Sequence, residues 1–271
     1  MSVDSILRIV GFERSLNDVV LMMGLFMGRM IPIVTFNPFL GGKNIPNNVR
    51  VGFSAVLFIL FYKLVIPAGA ISITSYEYIF LLIKEIIFGF AIGFLTGITF
   101  YTFIMAGRLM DTSSGFAMIS TIAPELQENA SVNGQLQFQL AIVIFFLTNG
   151  HYLFLEGIAK SFKLVPLLKF PDFSGNLPAL VNQFTYFSGK TIEVAVLIAF
   201  PIIISVLFTN IFFGLLNRIA PQVNVFFLCI SAMSMVALLV LFITAPYIVA
   251  KMKNFLQSMI IELNRLIAIL S

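Results

Sequence analysis

The stretch that decides the fold is IFLLIKEIIFGFAIGFLTGITFYTFIM, residues Ile79–Met105. Its only charged residues are the adjacent Lys84 and Glu85. A helix needs about 20 mostly apolar residues to cross a bilayer. The stretch is therefore long enough to form a membrane-spanning helix.

Five further segments have the same character: Val19–Phe36, Val49–Ile71, Leu136–Phe154, Ile192–Leu216 and Val223–Val249. Of the 271 residues, 59% are hydrophobic and 10% are charged, whereas soluble domains are about 45–50% apolar and about 25% charged. We therefore predict an all-α integral membrane protein of about six hydrophobic helices, forming one domain over residues 1–271. Pro201 and Pro246 are expected to kink or end the fifth and sixth helices.

Several classes of function are disfavoured by composition. The sixteen Lys and Arg residues are scattered rather than clustered, which gives no nucleic-acid site. Cys229 and His151 are the single cysteine and the single histidine, too few for the common metal and Cys–His catalytic sites. Ser188–Thr191 reads like the end of a phosphate-binding loop, but Phe184 occupies the place of its first glycine. We expect no cofactor, no nucleotide and no enzymatic activity.

Three glycines recur at every fourth residue in the third segment. Gly89, Gly93 and Gly97 therefore share one face of a helix. Small residues on one face allow a second helix backbone to approach closely in apolar surroundings. The pattern fits a neighbouring helix of another chain and a helix of this chain equally well.

Some charged residues lie well inside apolar segments, among them Arg29, Lys84 and Glu85. Each of Arg29, Lys84 and Glu85 costs about 2.5–3.5 kcal/mol or more at the centre of a membrane helix, so each needs a partner. Ion pairing between subunits, or a position near the membrane interface, is the favoured interpretation. A coupling site of a transporter is the alternative.

A loop is predicted between the third and fourth segments, over Gly107–Asn133. It contains GRLMDTSSGFAMIS (Gly107–Ser120), which is too polar for a span. Non-helical backbone at membrane depth is tolerated only where it is buried in protein or lines a path. Methionine side chains are deformable and suit a seal that must yield. We predict a gating loop, with an irregular buried connection as the alternative.

The last residues, 251–271, differ from the other segments. One helical face carries Phe255, Met259, Leu263, Leu266 and Leu270, and polar residues occupy much of the rest. This pattern is typical of an amphipathic helix. We predict that it lies on a membrane surface or in the groove of a partner.

Three motifs occur in a fixed order along the chain: IPNNVRVG at Ile45–Gly52, Asn149-Gly150-His151, and PQVNVF at Pro221–Phe226. The second and third together, in this order and spacing, are a specific signal, whereas either alone would be weak. With these motifs the chain resembles the FliR/SctT family of type III secretion export-apparatus proteins over nearly its whole length. Asn149, Gly150, His151, Pro221, Gln222 and Asn224 are the residues that carry the resemblance.

The resemblance implies a structural subunit whose helices form hairpins. Such a subunit assembles in the bacterial inner membrane with FliP-like and FliQ-like subunits and an FlhB-like switch protein, around a pore for unfolded protein substrates. Lipid would cover the remaining surface, and much of the assembly would lie above the membrane plane. The predicted loop falls where family members carry a plug, and this implies plug positions at Met110, Gly115, Phe116, Ala117 and Met118.

We therefore expect a structural subunit of the flagellar type III protein export gate, located in the flagellar basal body. Ile45–Gly52 looks more flagellar than injectisome-like, and the homologous subunit of a virulence injectisome is the alternative. A small secondary transporter or an ion channel is the alternative of another class. A transporter would show paired broken helices in two related halves, and the first half has no counterpart of Pro201 or Pro246.

Overall fold

The computed structural model describes residues 16–41, 45–66, 73–116, 131–170, 177–220, 222 and 224–270. Within these ranges the chain forms eight helices and no strand. The all-α prediction is confirmed. The helices are α1 (Leu16–Phe36), α2 (Pro38–Gly41), α3 (Asn47–Val65), α4 (Ser75–Ser114), α5 (Val132–Leu147), α6 (Gly150–Leu164), α7 (Leu177–Ile219) and α8 (Val225–Ile269).

Five described helices are long and apolar enough to cross a membrane, namely α1, α3, α4, α7 and α8. A sixth span results if the bent pair α5 and α6 is counted as one. The helices α4, α7 and α8 have 40, 43 and 45 residues. At 1.5 Å per residue each is roughly 60 Å long, about twice the hydrocarbon thickness of a bilayer. The apolar segments predicted for these three helices therefore cover only part of each helix.

The two prolines expected to interrupt helices do not end them. Pro201 lies inside α7 and Pro246 lies inside α8. In apolar surroundings neighbouring helices and Ser or Thr side chains can satisfy backbone groups that a proline leaves free. A helix end at either proline is therefore a wrong prediction.

The chain forms two compact units. Unit 1 comprises Met1–Gly97, Tyr152–Phe184 and Ile260–Ser271, and unit 2 comprises Ile98–His151 and Thr185–Met259. The helices α4, α7 and α8 each contribute residues to both units. The single domain expected from the sequence stays a prediction.

Aromatic side chains build the core of unit 1. The ring of Phe26 stacks on Phe162 at 4.9 Å between centroids and meets the edge of Phe58 at 5.4 Å. All three side chains are buried. These contacts hold α1 against α3 and α6, and the Phe162 ring centroid also lies 4.3 Å from the Arg29 guanidinium carbon.

The C-terminal amphipathic segment is the last part of α8 and not a separate surface helix. In unit 2 the Phe255 ring lies 5.8 Å from Phe187 and 6.1 Å from Phe103. In unit 1 Leu263 packs directly on Gly157. The whole predicted apolar face is buried: Phe255, Met259, Leu263, Leu266 and Leu270. The prediction that this face binds a membrane surface or a partner groove is wrong, because the chain itself covers it.

The predicted loop also begins later than expected. Helix α4 runs through Gly107 to Ser114, so the prediction of non-helical backbone is wrong for these residues. The Thr112 and Ser113 hydroxyls donate to carbonyls one turn back in the same helix, at 2.9 and 2.8 Å. Gly115, with φ of +81°, ends the helix in the left-handed conformation that glycine adopts most easily. The next described residue after Phe116 is Ser131, so Ala117 and Met118 lie outside the described residues.

Candidate functional site

The glycine stripe lies against the backbone of α1. A Cβ atom on Gly93 would stand 2.9 Å from the Pro32 carbonyl oxygen, and one on Gly97 would stand 2.6 Å from that of Phe36. A Cβ on Gly89 would collide with the Arg29 carbonyl oxygen. Such distances leave no room for a larger side chain. The structure therefore places a helix of the same chain on this face.

The close approach of α1 and α4 brings three charged residues together in unit 1. The Arg29 guanidinium makes a two-pronged contact with the Glu85 carboxylate, in which the Nη2–Oε1 distance is 2.9 Å. Lys84 Nζ lies 2.7 Å from the same oxygen, Glu85 Oε1. All three residues are buried. The pairing expected between subunits is thus found within this chain.

Backbone carbonyls satisfy the remaining donors of this cluster. Arg29 donates to the Val165 carbonyl at 2.9 Å and to the Ser161 hydroxyl at 3.2 Å. Lys84 Nζ donates to three carbonyls just beyond the end of α6, those of Pro166, Leu167 and Lys169, at 2.9–3.1 Å. Cations are favourable at a helix C-terminus because the helix dipole is negative there. We call Arg29, Lys84 and Glu85 the charged triad.

The residues predicted to form a plug are divided by the structure. Met110 lies on α4 and is fully buried, with its sulfur 3.9 Å from the Gln137 amide nitrogen. Gly115 and Phe116 follow the end of α4 and are partly exposed. Met110 therefore packs between α4 and α5. Of the predicted plug residues that the structure describes, Gly115 and Phe116 lie on the loop.

A buried carboxylate that was not predicted joins the two ends of this loop. Asp111, on the last turns of α4, accepts hydrogen bonds from the Ser131 hydroxyl at 2.6 Å and from the Asn133 side-chain amide at 2.6 Å. It also accepts the Asn133 backbone N–H at 3.2 Å. Ser131 is the N-cap of α5. A serine directly before an apolar run is the signal that could have identified this cap.

The Asn149-Gly150-His151 motif breaks the chain between α5 and α6. The φ of Asn149 is +56°, the left-handed region that asparagine tolerates better than most residues. A Cβ on Gly150 would collide with the Phe145 ring. The His151 ring packs against Phe146 at 5.1 Å. The motif therefore has a structural role in this bend.

The motif Pro221–Phe226 lies where α7 is followed by α8. Gln222 and Asn224 are exposed, and Pro221 lies outside the described residues. Among the residues that the structure describes, no three His, Cys, Asp or Glu side chains come together as a possible metal site.

The outer surface of the spans is unevenly covered. In the most apolar stretch of 18 residues in α4, half of the residues are buried, whereas in the corresponding stretch of α8 only 6% are buried. Large side chains on α8 face outward, with Phe242 84% exposed and Met235 73% exposed. Exposed apolar surface on this scale marks contact with lipid or with other protein chains.

Comparison with known proteins gives a family. Residues 20–259 match the family described as Bacterial export proteins, family 1. The chain is 25% identical to the flagellar biosynthetic protein FliR of Bacillus subtilis, over 86% of this chain and 89% of that protein. It is 29% identical to the surface presentation of antigens protein SpaR of Shigella flexneri, over 84% and 86% of the two chains. It is 28% identical to the Yop proteins translocation protein T of Yersinia pestis, over 93% and 94%.

The family match covers most of the chain and includes all three motifs that carried the resemblance. The chain therefore belongs to family 1 of the bacterial export proteins, the FliR/SctT export-apparatus family indicated by its motifs.

Proposed function

We propose that this chain is a structural subunit of the flagellar type III export gate, and that it helps form and seal the inner-membrane channel for unfolded export substrates. Members of the family are structural parts of the export apparatus and not enzymes. The observation that carries the proposal is the family match over residues 20–259, in a chain with five to six candidate spans. The flagellar assignment rests on the flagellar character of Ile45–Gly52.

The uncovered faces of the long helices support assembly with other subunits. In α7 the exposed residues include Phe208 and Phe212, and in α8 they include Phe227, Met235 and Phe242. A chain of this kind can bury such faces against FliP-like and FliQ-like subunits, against an FlhB-like switch protein, and against lipid. The helices are about twice as long as a bilayer is thick, which fits an assembly that extends beyond the membrane plane.

The sealing part of the proposal concerns the loop that follows α4. Gly115 and Phe116 begin it, and Ala117 and Met118 continue it in the sequence. An aromatic ring and a methionine can close a narrow passage and still adapt to varied passengers. Met110 is buried between α4 and α5, so its part in the seal would be to support the start of the loop.

A gentle detergent pull-down of a tagged copy from the native host tests the proposed function. We expect FliP-like and FliQ-like subunits to co-purify, and mass spectrometry would identify them. Recovery of this chain alone, from cells that are assembling flagella or injectisomes, would contradict the gate assignment. It would favour a secondary transporter or an ion channel.

The second candidate is the corresponding subunit of a virulence injectisome. It is favoured by similarity to SpaR and to the Yop protein T, which are as close in sequence as the flagellar relative. The same pull-down separates the two candidates, because rod components of a flagellum or needle components of an injectisome would accompany the gate. Loss of swimming after deletion of the gene, with effector secretion intact, would favour the flagellar assignment.

A further inference from the structure

The two ends of the central loop meet at a single buried carboxylate in unit 2. Asp111 is only 2% exposed. Its Oδ2 atom accepts from the Ser131 hydroxyl and from the Asn133 backbone N–H, and its Oδ1 atom accepts from the Asn133 side-chain amide. A buried carboxylate is costly unless hydrogen bonds compensate it. These bonds therefore hold the end of α4 and the beginning of α5 together.

Among the residues that the structure describes, the donors to the Asp111 carboxylate are all neutral groups. Compensation comes instead from the position of the carboxylate at the first turn of α5, where the helix dipole is positive and backbone N–H groups have no partner within the helix. Ser131 links the two effects, because its oxygen accepts the Gly134 N–H at 2.9 Å while its hydroxyl donates to Asp111. Asp111 thus extends the cap of α5, whose N-cap residue Ser131 lies 20 residues later in the chain.

Two glycines allow the helices to come this close. A Cβ on Gly107 would collide with the backbone of Asn133 and Gly134. A Cβ on Gly134 would stand 3.1 Å from the Ile104 carbonyl oxygen. Gly107 lies one turn before Asp111, on the same side of α4. The glycine contact therefore sets the spacing at which the Asp111 carboxylate reaches Ser131.

Helix α8 holds the other side of the same point. The Ser234 hydroxyl donates to the Ser114 carbonyl at 3.1 Å. The next residue, Gly115, takes the left-handed φ that turns the chain out of α4. A Cβ on Gly115 would lie within 4 Å of Ile230 and Met233. The start of the loop is therefore fixed in place by contacts to α5 and α8.

We infer that Asp111 is a positioning residue of the gate: its carboxylate ties the end of α4 to the N-cap of α5 and so holds together the two ends of the loop that we propose as the seal. The inference rests on the proposed function, since it presumes that this loop seals the channel. Without the carboxylate the two ends of the loop separate and α5 loses part of its cap, while the outward faces that bind other subunits are unchanged. The channel then assembles but leaks.

The test uses Asp111→Ala in the complete export complex, in cells. The readout is the entry of a small membrane-impermeant dye or of ions, divided by the amount of complex recovered in the pull-down. Hydrogen bonds to a charged group are among the stronger ones in proteins, so we expect leakage to rise about tenfold. Thr112→Ala is the matched control, because Thr112 is exposed and the described bond of its hydroxyl goes to its own helix. An assembled Asp111→Ala complex that is as tight as the Thr112→Ala complex overturns the inference.

A reciprocal exchange separates positioning from folding. Asp111→Asn combined with Asn133→Asp keeps one carboxylate and one amide facing each other, and it keeps the net charge. We expect the double variant to be tight, whereas Asp111→Asn alone leaks. If Asp111→Ala fails to assemble, restored assembly and tightness in the double variant support the inference. Failure of the double variant to restore either property overturns it.

A third variant distinguishes this inference from the proposed function. Replacing residues 117–130 with a Gly/Ser linker of equal length leaves Asp111, Ser131 and Asn133 in place. If this variant leaks and Asp111→Ala is tight, the loop is a seal and the role of Asp111 is refuted. If the linker variant and Asp111→Ala are both tight, the sealing role of the loop is refuted with it.

Discussion

Helix α4 carries two buried charged sites, and they are built differently. In unit 1 the charged triad sets two cations against one carboxylate, and carbonyls near the end of α6 accept the remaining donors. In unit 2 the described donors to the Asp111 carboxylate include no cation, and they are one hydroxyl, one amide and one backbone N–H. One helix thus contains an ion-paired site and a site held by neutral groups.

The difference teaches what each site is suited for. Removing one partner of a buried ion pair leaves an uncompensated charge, which costs several kcal/mol. Such a site is suited to hold a packing arrangement permanently. A carboxylate held by neutral donors loses less stabilising free energy when one donor is removed. Its arrangement can therefore change at a smaller cost. We therefore interpret the charged triad as a site that stabilises the fold, and Asp111 as part of the loop connection that we propose acts as a seal.

The largest effect is expected from Glu85→Ala. This substitution leaves Arg29 and Lys84 buried without a counter-charge, and we expect a loss of about 3–5 kcal/mol in the free energy of unfolding. Thermal unfolding of the purified chain in detergent would measure it. Glu193→Ala is the control, since Glu193 is exposed on α7. Equal unfolding temperatures for Glu85→Ala and Glu193→Ala would mean that the charged triad does not stabilise the fold. The distinction between the triad and the Asp111 site would then be lost.

Lys84→Met should have a smaller effect than Glu85→Ala. It removes one of two cations and leaves Arg29 and Glu85 balanced, but the carbonyls of Pro166, Leu167 and Lys169 lose their donor. We expect a loss of about 2 kcal/mol by the same unfolding measurement, with the exposed Lys63→Met as control. A loss as large as that of Glu85→Ala would mean that the carbonyls matter more than the ion pairs.

The glycine stripe offers a test with an internal control. Gly93→Ala places a Cβ 2.9 Å from the Pro32 carbonyl oxygen, and overpacking of this kind costs about 1–3 kcal/mol. Gly189→Ala adds the same methyl group to α7, where no described atom apart from the chain neighbours and the helix's own backbone lies within 4 Å. There we expect no loss, or a gain of up to about 1 kcal/mol, because alanine favours helix. Similar unfolding temperatures for the two variants would contradict the close contact of α1 and α4.

The smallest effect is expected from Ser131→Ala. It removes the cap of α5 and one of the bonds to Asp111, at a cost of about 1 kcal/mol. Leakage should lie between that of the unchanged protein and that of Asp111→Ala. Ser231→Ala is the control, because the described bond of that hydroxyl goes to its own helix. A leak equal to that of Asp111→Ala would show that Ser131 carries the whole contact.

The helices could be predicted from the sequence because apolar runs of sufficient length have few alternatives in a membrane. The beginning of the loop could not. Asp111, Thr112 and the two serines that follow look unfavourable for a helix, but Thr112 and Ser113 bond to their own helix and Asp111 finds donors on α5. Contacts of this kind are made by tertiary structure and leave no local signal.

The partners of the charged residues could not be predicted for the same reason. The cost of burying Arg29 and Glu85 indicated that each needs a partner, but they lie 56 residues apart in the chain. The amphipathic pattern of residues 251–271 likewise indicated that one face is covered, without indicating by what. Periodicity identifies the covered face of a helix, whereas the identity of the covering surface is a property of the whole fold.

Unit 1 is built from three separate segments of the chain, and this has a consequence for the order in which the two units are completed during translation. Arg29 must wait for Glu85, which at ribosomal rates of about 5–20 residues per second takes about 3–11 s. Lys84 must wait for carbonyls 82–85 residues further along. Ile260–Ser271 also belongs to this unit, although unit 2 requires nothing beyond Met259. The unit that begins first during translation is therefore the last to be completed.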